Sequence, residues 1–393
     1  MHILSKQKQI GGIKMNIALL GFGVVGRGVY ELAASHPELH IKYVLCRKDL
    51  TLPDAQVTHD FEDIVNDPEI DTVIEVMGGL HPAWEYVRQS IQAGKHVITA
   101  NKAMAAEFYD ELIPLVERHQ VMFRCTAAVG GGIGWLSELE RVRRCETIRK
   151  VGGIMNGTCN YILDAMTREG LSYAEALSQA QHLGYAEANP STDVDGIDTW
   201  HKLILSANIA FGVSMDKHQI PVWGIRNILA EDVAQFRRHG LCCKLVSSAQ
   251  MQGGHFSAFV QPTLFPDHDI EATVPTNYNL ITLEGNTSGR QSFYGQGAGR
   301  YPTAYNVLQD CMDFTRSHGF YSILTKKVAV CNDQRMRYYV RGASDPWLAA
   351  HCDEHWGSAT VTTPVTVEQM HAWCAKYPNV FIAALPERKD IHC

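Results

Sequence analysis

The 393-residue chain has no run of about 18 to 20 uninterrupted apolar residues, the length that a bilayer-spanning helix requires. Residues 1–14 lack the apolar core and small-residue cleavage site of a secretory signal, so a cytoplasmic protein with no membrane partner is expected. Long cationic runs are also missing, and the net charge is −7, which speaks against nucleic acid or an anionic lipid surface as partner. The eleven cysteines include no CxxC pair. Most stand in apolar text, as Cys46, Cys159 and Cys331 do, and are expected to be reduced core thiols rather than a disulfide framework. The vicinal Cys242 and Cys243 lack the second ligand pair that a structural metal would need. What is abundant is apolar side chain: 46% of the residues are hydrophobic, enough for two or three packed domains acting on a small substrate.

From Asn16 onward short β-branched runs at residues 17–20, 41–46, 72–76 and 96–99 alternate with helical stretches, the pattern of a parallel sheet with crossover helices. Around Val151 the text changes to longer amphipathic helices, then to turn-rich, strand-like text between Phe256 and Tyr294, which predicts a second domain of mixed α and β character. Gly295 to Gly299 form a glycine-rich turn before Pro302, and a helix from there to about Phe314 is expected to return to the first domain. The expected division is therefore a flexible extension at 1–14, a nucleotide-binding domain at 15–135 completed by about 300–327, a second domain at 136–299, and a C-terminal extension at 328–393.

The first strand runs into Gly21-Phe22-Gly23-Val24-Val25-Gly26 and then into a helical stretch. In that context Gly21 permits the tight turn, Gly23 lets backbone approach a pyrophosphate at the helix N-terminus, and Gly26 allows the helix to sit close on the strand. This is the fingerprint of a Rossmann-type dinucleotide-binding domain. The second strand ends in Arg47 and Lys48, where an NAD site would place an acid on the ribose hydroxyls. Two cations there suit a 2′-phosphate, so NADP is favoured, while nearby Asp49 leaves NAD open.

Residues 184–202 are the most informative stretch. Glu187, Asp193, Asp195 and Asp198 crowd beside Lys202, an arrangement suited to a zwitterionic amino-acid substrate. Ile197, Trp200, Ile204, Ala207 and Phe211 recur with helical period and predict a buried stripe, with Asp198 and Lys202 sharing a face turned to solvent or a cleft. Alone, an acid four residues before a lysine is usually a surface ion pair.

Gly21 to Gly26, Gly94 to Lys102, Asn156 to Leu163, Gly184 to Lys202 and Gly295 to Ala304 resemble, in order, the successive motifs of homoserine dehydrogenases, over about residues 16–310. That resemblance implies an α/β fold with a Rossmann-type domain and an α+β substrate and dimerisation domain, a homodimer, and a place in threonine and methionine biosynthesis. It implies that Lys202 donates the proton to the carbonyl oxygen during reduction and that Lys102 lies beside the nicotinamide. Glu187 and Asp198 would hold the substrate, Asp193 would support them, and Gly184 and Gly297 would approach the cofactor closely. Asn156 and Asn160 flank a strand-to-helix junction, where helix capping is at least as natural as substrate contact. In the family a glutamate opens the segment that here begins at Thr126 and helps backbone carbonyls bind sodium. Carbonyls of Val129, Gly131 and Ile133 leave such a site open, weakened by the lost charge.

The spacing His351, Glu354, His355 matches a zinc-hydrolase motif, but it has no third ligand in view and predicts only a polar helix surface. Two rivals remain: a related amino-acid dehydrogenase, opposed by residues 184–202, and a non-catalytic nucleotide or amino-acid sensor, opposed by retention of Lys102 and Lys202. The C-terminal segment has strand-like residues 337–341 and 380–384 around a helix expected near 367–377, at the place where many relatives start an amino-acid-sensing domain. It looks shortened and unlike that domain, and weak or absent feedback by threonine is expected.

Overall fold

The computed structural model describes residues 14–315 and 326–385, so the extension expected at 1–14 lies outside it apart from Lys14. The chain forms two compact units, one running to Ala128 and resumed at Gly299, the other beginning at Val129 and resumed after the helix that follows Gly299.

The first unit is built on six strands: β1 (Met15–Leu20), β2 (Leu39–Leu45), β3 (Gln56–Thr58), β4 (Thr72–Glu75), β5 (His96–Thr99) and β6 (Phe123–Arg124). They pair in parallel in the order β3-β2-β1-β4-β5-β6, the doubly wound dinucleotide-binding order. Strand β1 is apolar and buried from Ile17 to Leu20 because helices cover both faces of the sheet. Helices α1 (Val24–Ala33), α2 (Glu62–Val65), α3 (Ala83–Gln92), α4 (Lys102–Glu107) and α5 (Tyr109–His119) follow successive strands.

The helix Arg300–Thr315 belongs to this unit and packs on α1. A side chain at Gly28 would stand 2.9 Å from the Arg300 carbonyl, so glycine sets that close crossing. Ala304, Val307, Cys311 and Phe314 complete the core formed by Ile17, Leu19 and Val29. Beneath them Asp310 is fully buried and accepts from Arg124 Nε at 3.0 Å, the Thr126 amide at 3.0 Å and the Thr126 hydroxyl at 2.6 Å. Burial pushes the Asp310 carboxyl up to about 6 against the pull of Arg124.

The second unit carries a nine-stranded sheet. Its helices are α6 (Trp135–Arg143), α7 (Gly157–Arg168), α8 (Tyr173–His182), α9 (Ser191–Val194), α10 (Ile197–Phe211) and α11 (Ala230–Arg238). Its strands begin with β7 (Ile148–Ile154), the short β8 (Ser214–Met215), β9 (Leu241–Gln252), β10 (His255–Pro266), β11 (Tyr278–Gly285) and β12 (Gly289–Gln296). After the helix Arg300–Thr315, here α12, come β13 (Lys327–Val328), β14 (Arg335–Met336), β15 (Tyr338–Arg341), α13 (Pro346–Ala350), β16 (Cys352–Trp356), β17 (Ala359–Thr362), β18 (Val365–Thr366), α14 (Val367–Cys374) and β19 (Phe381–Ala384).

The large sheet runs β12-β11-β7-β9-β10-β19-β15-β17-β16. Its last four strands, with α13 and α14, form a βαββαβ module with antiparallel neighbours, the ferredoxin-like arrangement. The C-terminal segment, expected to be shortened and unlike a sensing domain, instead has all six elements of that module, with α13 only five residues long. Its core gathers Tyr338, Val340, Leu348, Met370, Trp373 and Ile382. The His351 to His355 stretch lies at β16, on the rim of the sheet, not on a helix.

His371 of α14 lies 2.9 Å from the Gln261 side-chain oxygen on β10, and burial holds its imidazole down at about 4. A neutral histidine in the folded chain binds fewer protons than the same residue unfolded, so stability should fall as pH drops from about 6.5 towards 4. Thermal melting across that window should show the decline, and His371→Gln, which cannot take up the proton, should flatten it. An unchanged pH profile in the variant would remove His371 as the cause.

All ten described cysteines are free, and six are buried, in keeping with core thiols. Cys331 departs from that expectation and is exposed, since its short apolar run ends in a loop rather than a core strand.

Candidate active site

The candidate nucleotide-binding residues lie in the first unit. Gly21 follows β1 with φ +101°, a conformation that favours glycine. A side chain on Gly26 would stand 2.1 Å from the Gly21 carbonyl, so the turn and the helix can meet only if both are bare. At Gly23 the space where a side chain would project is open within 4 Å. Gly23 is also the N-cap of α1, and no side chain caps it, which leaves the first amides of the helix available to a pyrophosphate. These features fit a dinucleotide. Phe22 packs edge-on against Tyr30, Val25 is partly buried, and Val24 is 66% exposed at the start of the helix.

Arg47 and Lys48 are both exposed directly after β2. Beside them His59 bridges the Cys46 carbonyl at 2.6 Å and Asp49 at 3.0 Å, which holds the acid of this loop on a neighbouring ring. Lys102 is the first residue of α4, whose N-cap Asn101 accepts from the Met104 amide at 3.1 Å. Asn101 in turn donates to the Gly79 carbonyl at 2.7 Å. Under this turn lies Glu75, fully buried, which accepts from the Thr99 hydroxyl at 2.6 Å and the Met77 amide at 2.7 Å. Burial pushes the Glu75 carboxyl above the usual range. Sequence reading missed this residue, because a glutamate at a strand end looks like any solvated strand terminus.

In the second unit a cluster of buried polar groups lies on α10 and the segments packed against it. Lys202 Nζ meets Asp198 at 2.8 Å and the Met155 carbonyl at 2.7 Å. The Asn156 side chain donates to Asp193 at 2.7 Å and to Asp198 at 2.8 Å, and accepts from the Cys159 amide at 2.8 Å as N-cap of α7. One amide therefore caps a helix and ties together two carboxylates. Asn279, fully buried, donates to the same Met155 carbonyl at 3.0 Å. No sequence signal pointed to Met155 or Asn279, since one acts through its backbone and the other is a single asparagine at the start of a strand.

The ion pair is not on the surface. Asp198 and Lys202 are 5% and 6% exposed, whereas Ile197, assigned to the buried stripe, is 38% exposed and Trp200 and Phe211 are only partly covered. Helix α10 is buried over nearly its full circumference, against β7 and β9 on one side and α6 on another, so apolar periodicity no longer marks its inner face. Two acceptors thus fix the ammonium, the Asp198 carboxylate and the Met155 carbonyl.

Glu187 is exposed on the loop between α8 and α9, and its carbonyl accepts from Gln181 at 3.0 Å. Gly184 follows the C-cap of α8 with φ +76°, and the Tyr185 amide closes on Ala180 at 2.8 Å, a helix-terminating turn. A side chain at Gly297 would fall 2.0 Å from the Asn279 amide nitrogen, and one at Gly131 would fall 2.7 Å from Gly297 itself. Both glycines thus have a packing reason to be bare.

Val129 is buried, Gly131 is pressed on Gly297, and the Ile133 amide turns back to the Gly130 carbonyl at 2.8 Å. Among the described residues no group of three or more His, Cys, Asp or Glu is arranged to hold a metal ion, and no helix is long and apolar enough to cross a membrane. Thr126 spends its amide and hydroxyl on Asp310.

A doubly wound nucleotide domain joined to a second domain with a buried lysine–carboxylate pair defines a nicotinamide-dependent oxidoreductase. Residues 21–125 match the model of the homoserine dehydrogenase NAD-binding domain, and residues 135–312 match the homoserine dehydrogenase model. The homoserine dehydrogenase of Bacillus subtilis is 36% identical over 310 residues, covering 75% of this chain and 72% of that one. The crystal structure of a homoserine dehydrogenase from Thiobacillus denitrificans superposes with a TM-score of 0.84 at 30% identity, covering 95% of this chain and 98% of that one. A hyperthermophilic archaeal homoserine dehydrogenase in complex with NADPH shares the fold, with a TM-score of 0.68 at 23% identity over 78% of this chain and 99% of that one. The chain belongs to the homoserine dehydrogenase family.

Proposed function

We propose that the chain interconverts L-homoserine and L-aspartate 4-semialdehyde, with NADP preferred over NAD. The observation that carries this reading is the buried Lys202–Asp198 pair, held to Asp193 by Asn156. The nicotinamide supplies the hydride for reduction and accepts it in oxidation. Gly21 to Gly26 and the start of α1 would hold the pyrophosphate, with Lys102 near the ring. Hydride addition to the aldehyde builds negative charge on the C4 oxygen, and Lys202 is the group that donates a proton there. Asp198 holds the ammonium in place. Glu187 and Asp193, with Asp198, supply the negative charge that a substrate ammonium would seek. A homodimer through the second unit and a cytoplasmic location belong to the same reading.

The test is homoserine-dependent reduction of NADP and of NAD, followed by absorbance of the reduced nicotinamide, in sodium and in potassium buffers. Turnover with NADP and less with NAD is the expected result; no turnover with either, while nucleotide still binds, would leave a sensor or another amino-acid dehydrogenase. Replacing both Arg47 and Lys48 by alanine should lower kcat/KM for NADP by on the order of tenfold to a hundredfold, as the loss of two charge-assisted contacts predicts, and leave NAD nearly unchanged. Equal losses with both cofactors would refute the 2′-phosphate assignment.

A further inference from the structure

We infer that Arg226 is a positioning residue for the catalytic carboxylates, and that the segment containing it fastens the active-site turn to the C-terminal module. The inference rests on the reading of Lys202, Asp198 and Asp193 given above. The short helix α9 carries Asp193, one of the two acids bound by Asn156. Arg226 grips both ends of that turn: its guanidinium donates to Asp195 at 2.7 and 2.8 Å and to the Ser191 hydroxyl at 2.8 Å. Ser191 opens α9 and Asp195 is its C-cap, so one planar fork spans the turn on which Asp193 stands.

Backbone contacts reinforce the grip. The Ile225 amide donates to the Val194 carbonyl at 2.7 Å, and a side chain at Gly224 would lie 2.0 Å from that same oxygen. The segment is pressed flat on α9. Its other side is held by the C-terminal module: Asn227 donates to the carbonyls of Pro378 and Val380 at 2.9 and 3.1 Å, Arg341 donates to the Asn227 carbonyl at 2.5 Å, and Trp223 packs against the module's core. Buried Asp232 adds an anchor by accepting from the Tyr339 hydroxyl at 2.7 Å and Arg341 at 2.6 Å.

Arg226 touches none of the reacting groups and its side chain is 48% exposed, so as an ion pair alone it should contribute little to stability. Its effect is geometric. If the fork is lost, α9 can drift, Asp193 loses its fixed distance to Asn156, and the shared amide no longer sets the angle at which Asp198 meets Lys202. Small misplacements of this kind have disproportionate kinetic effects.

The experiment uses the full-length protein with Arg226→Ala, Arg226→Lys, Asp195→Asn and the Arg226→Ala/Asp195→Asn double variant, and Lys202→Met alongside. Readouts are kcat, KM for homoserine, nucleotide affinity and thermal midpoint. Arg226→Ala should lower kcat/KM for homoserine by about tenfold or more with nucleotide affinity unchanged. Arg226→Lys should recover little, since a point charge cannot span Asp195 and Ser191. Asp195→Asn should resemble Arg226→Ala, and the double variant should be no worse than either. Wild-type kinetics in Arg226→Ala, or additive losses in the double variant, overturn the inference even if the midpoint falls. Should Lys202→Met keep full turnover, the site reading fails and the inference with it; should Lys202→Met be inactive while Arg226→Ala is unaffected, only the positioning role is lost.

Discussion

Lys202→Met is expected to lower kcat/KM for homoserine by roughly three orders of magnitude, the range over which a positioned general acid acts, while nucleotide affinity stays at its wild-type value. Methionine fills nearly the same volume, so the loss reports the ammonium and not a cavity. The variant also leaves Asp198 buried without its cation, and stability should fall by about 3 to 5 kcal/mol as for a broken buried pair. Denaturant titration beside the kinetics separates the two effects, provided rates are taken where the variant is still folded. Lys202→Arg keeps the charge but not the compact ammonium, and its failure to restore turnover would tie the chemistry to proton transfer. Substantial activity in Lys202→Met would displace the lysine from the mechanism.

Asn156→Asp should be nearly as damaging at neutral pH. The amide that now donates to Asp193 at 2.7 Å and to Asp198 at 2.8 Å would become a third carboxylate facing two others. Two hydrogen bonds are lost and like charges are brought into contact, so a fall of about a hundredfold or more in kcat/KM is expected. Asn156→Ser retains an oxygen for the Cys159 amide, preserves the cap on α7, and removes only the bridge. It should therefore lose less. Activity of Asn156→Asp should recover in part as pH is lowered, because one carboxylate of the crowded set takes up a proton and again becomes a donor. If both variants lose the same activity at every pH between about 6 and 9, capping alone explains the residue.

Much of the first unit was legible in the text because its physics is local. Glycines at 21, 23 and 26 announce a strand-to-helix turn, and buried parallel strands read as short β-branched runs whose positions agree with β1, β2, β4 and β5 to within two residues. In the second unit the long strand β9 went unread: it is buried on both faces from Leu241 to Ala249, so no alternation marks it, and Lys244 in its middle argues for solvent. That lysine is instead enclosed, its ammonium held by Asn160 at 2.9 Å and the Val274 carbonyl at 2.8 Å. Asn160 was read as a cap or a substrate contact; it serves as the partner of a buried cation. The same limitation blurred the orientation of α10: Ile204 and Ala207 are buried as expected, but so are Asp198 and Lys202, because covering on nearly all sides erased the contrast that periodicity relies on. Residues that act through backbone, such as Met155, are beyond any reading of side-chain types. In the C-terminal module the text at 337–341, 367–377 and 380–384 matches β15, α14 and β19, whereas short strands such as Cys352–Trp356, with charge on one face, look like polar loops until their partners are known.

The continuity of the large sheet has a consequence for anyone who would shorten the chain. Strand β10 is covered in two stretches: Val260 bonds Pro221 and Trp223, and beyond it Thr263 stands opposite Ala384 of β19. Cutting before β13 would bare the second stretch, and the amides and carbonyls there would be offered to whatever extended chain came near. The terminal module keeps that length of edge closed.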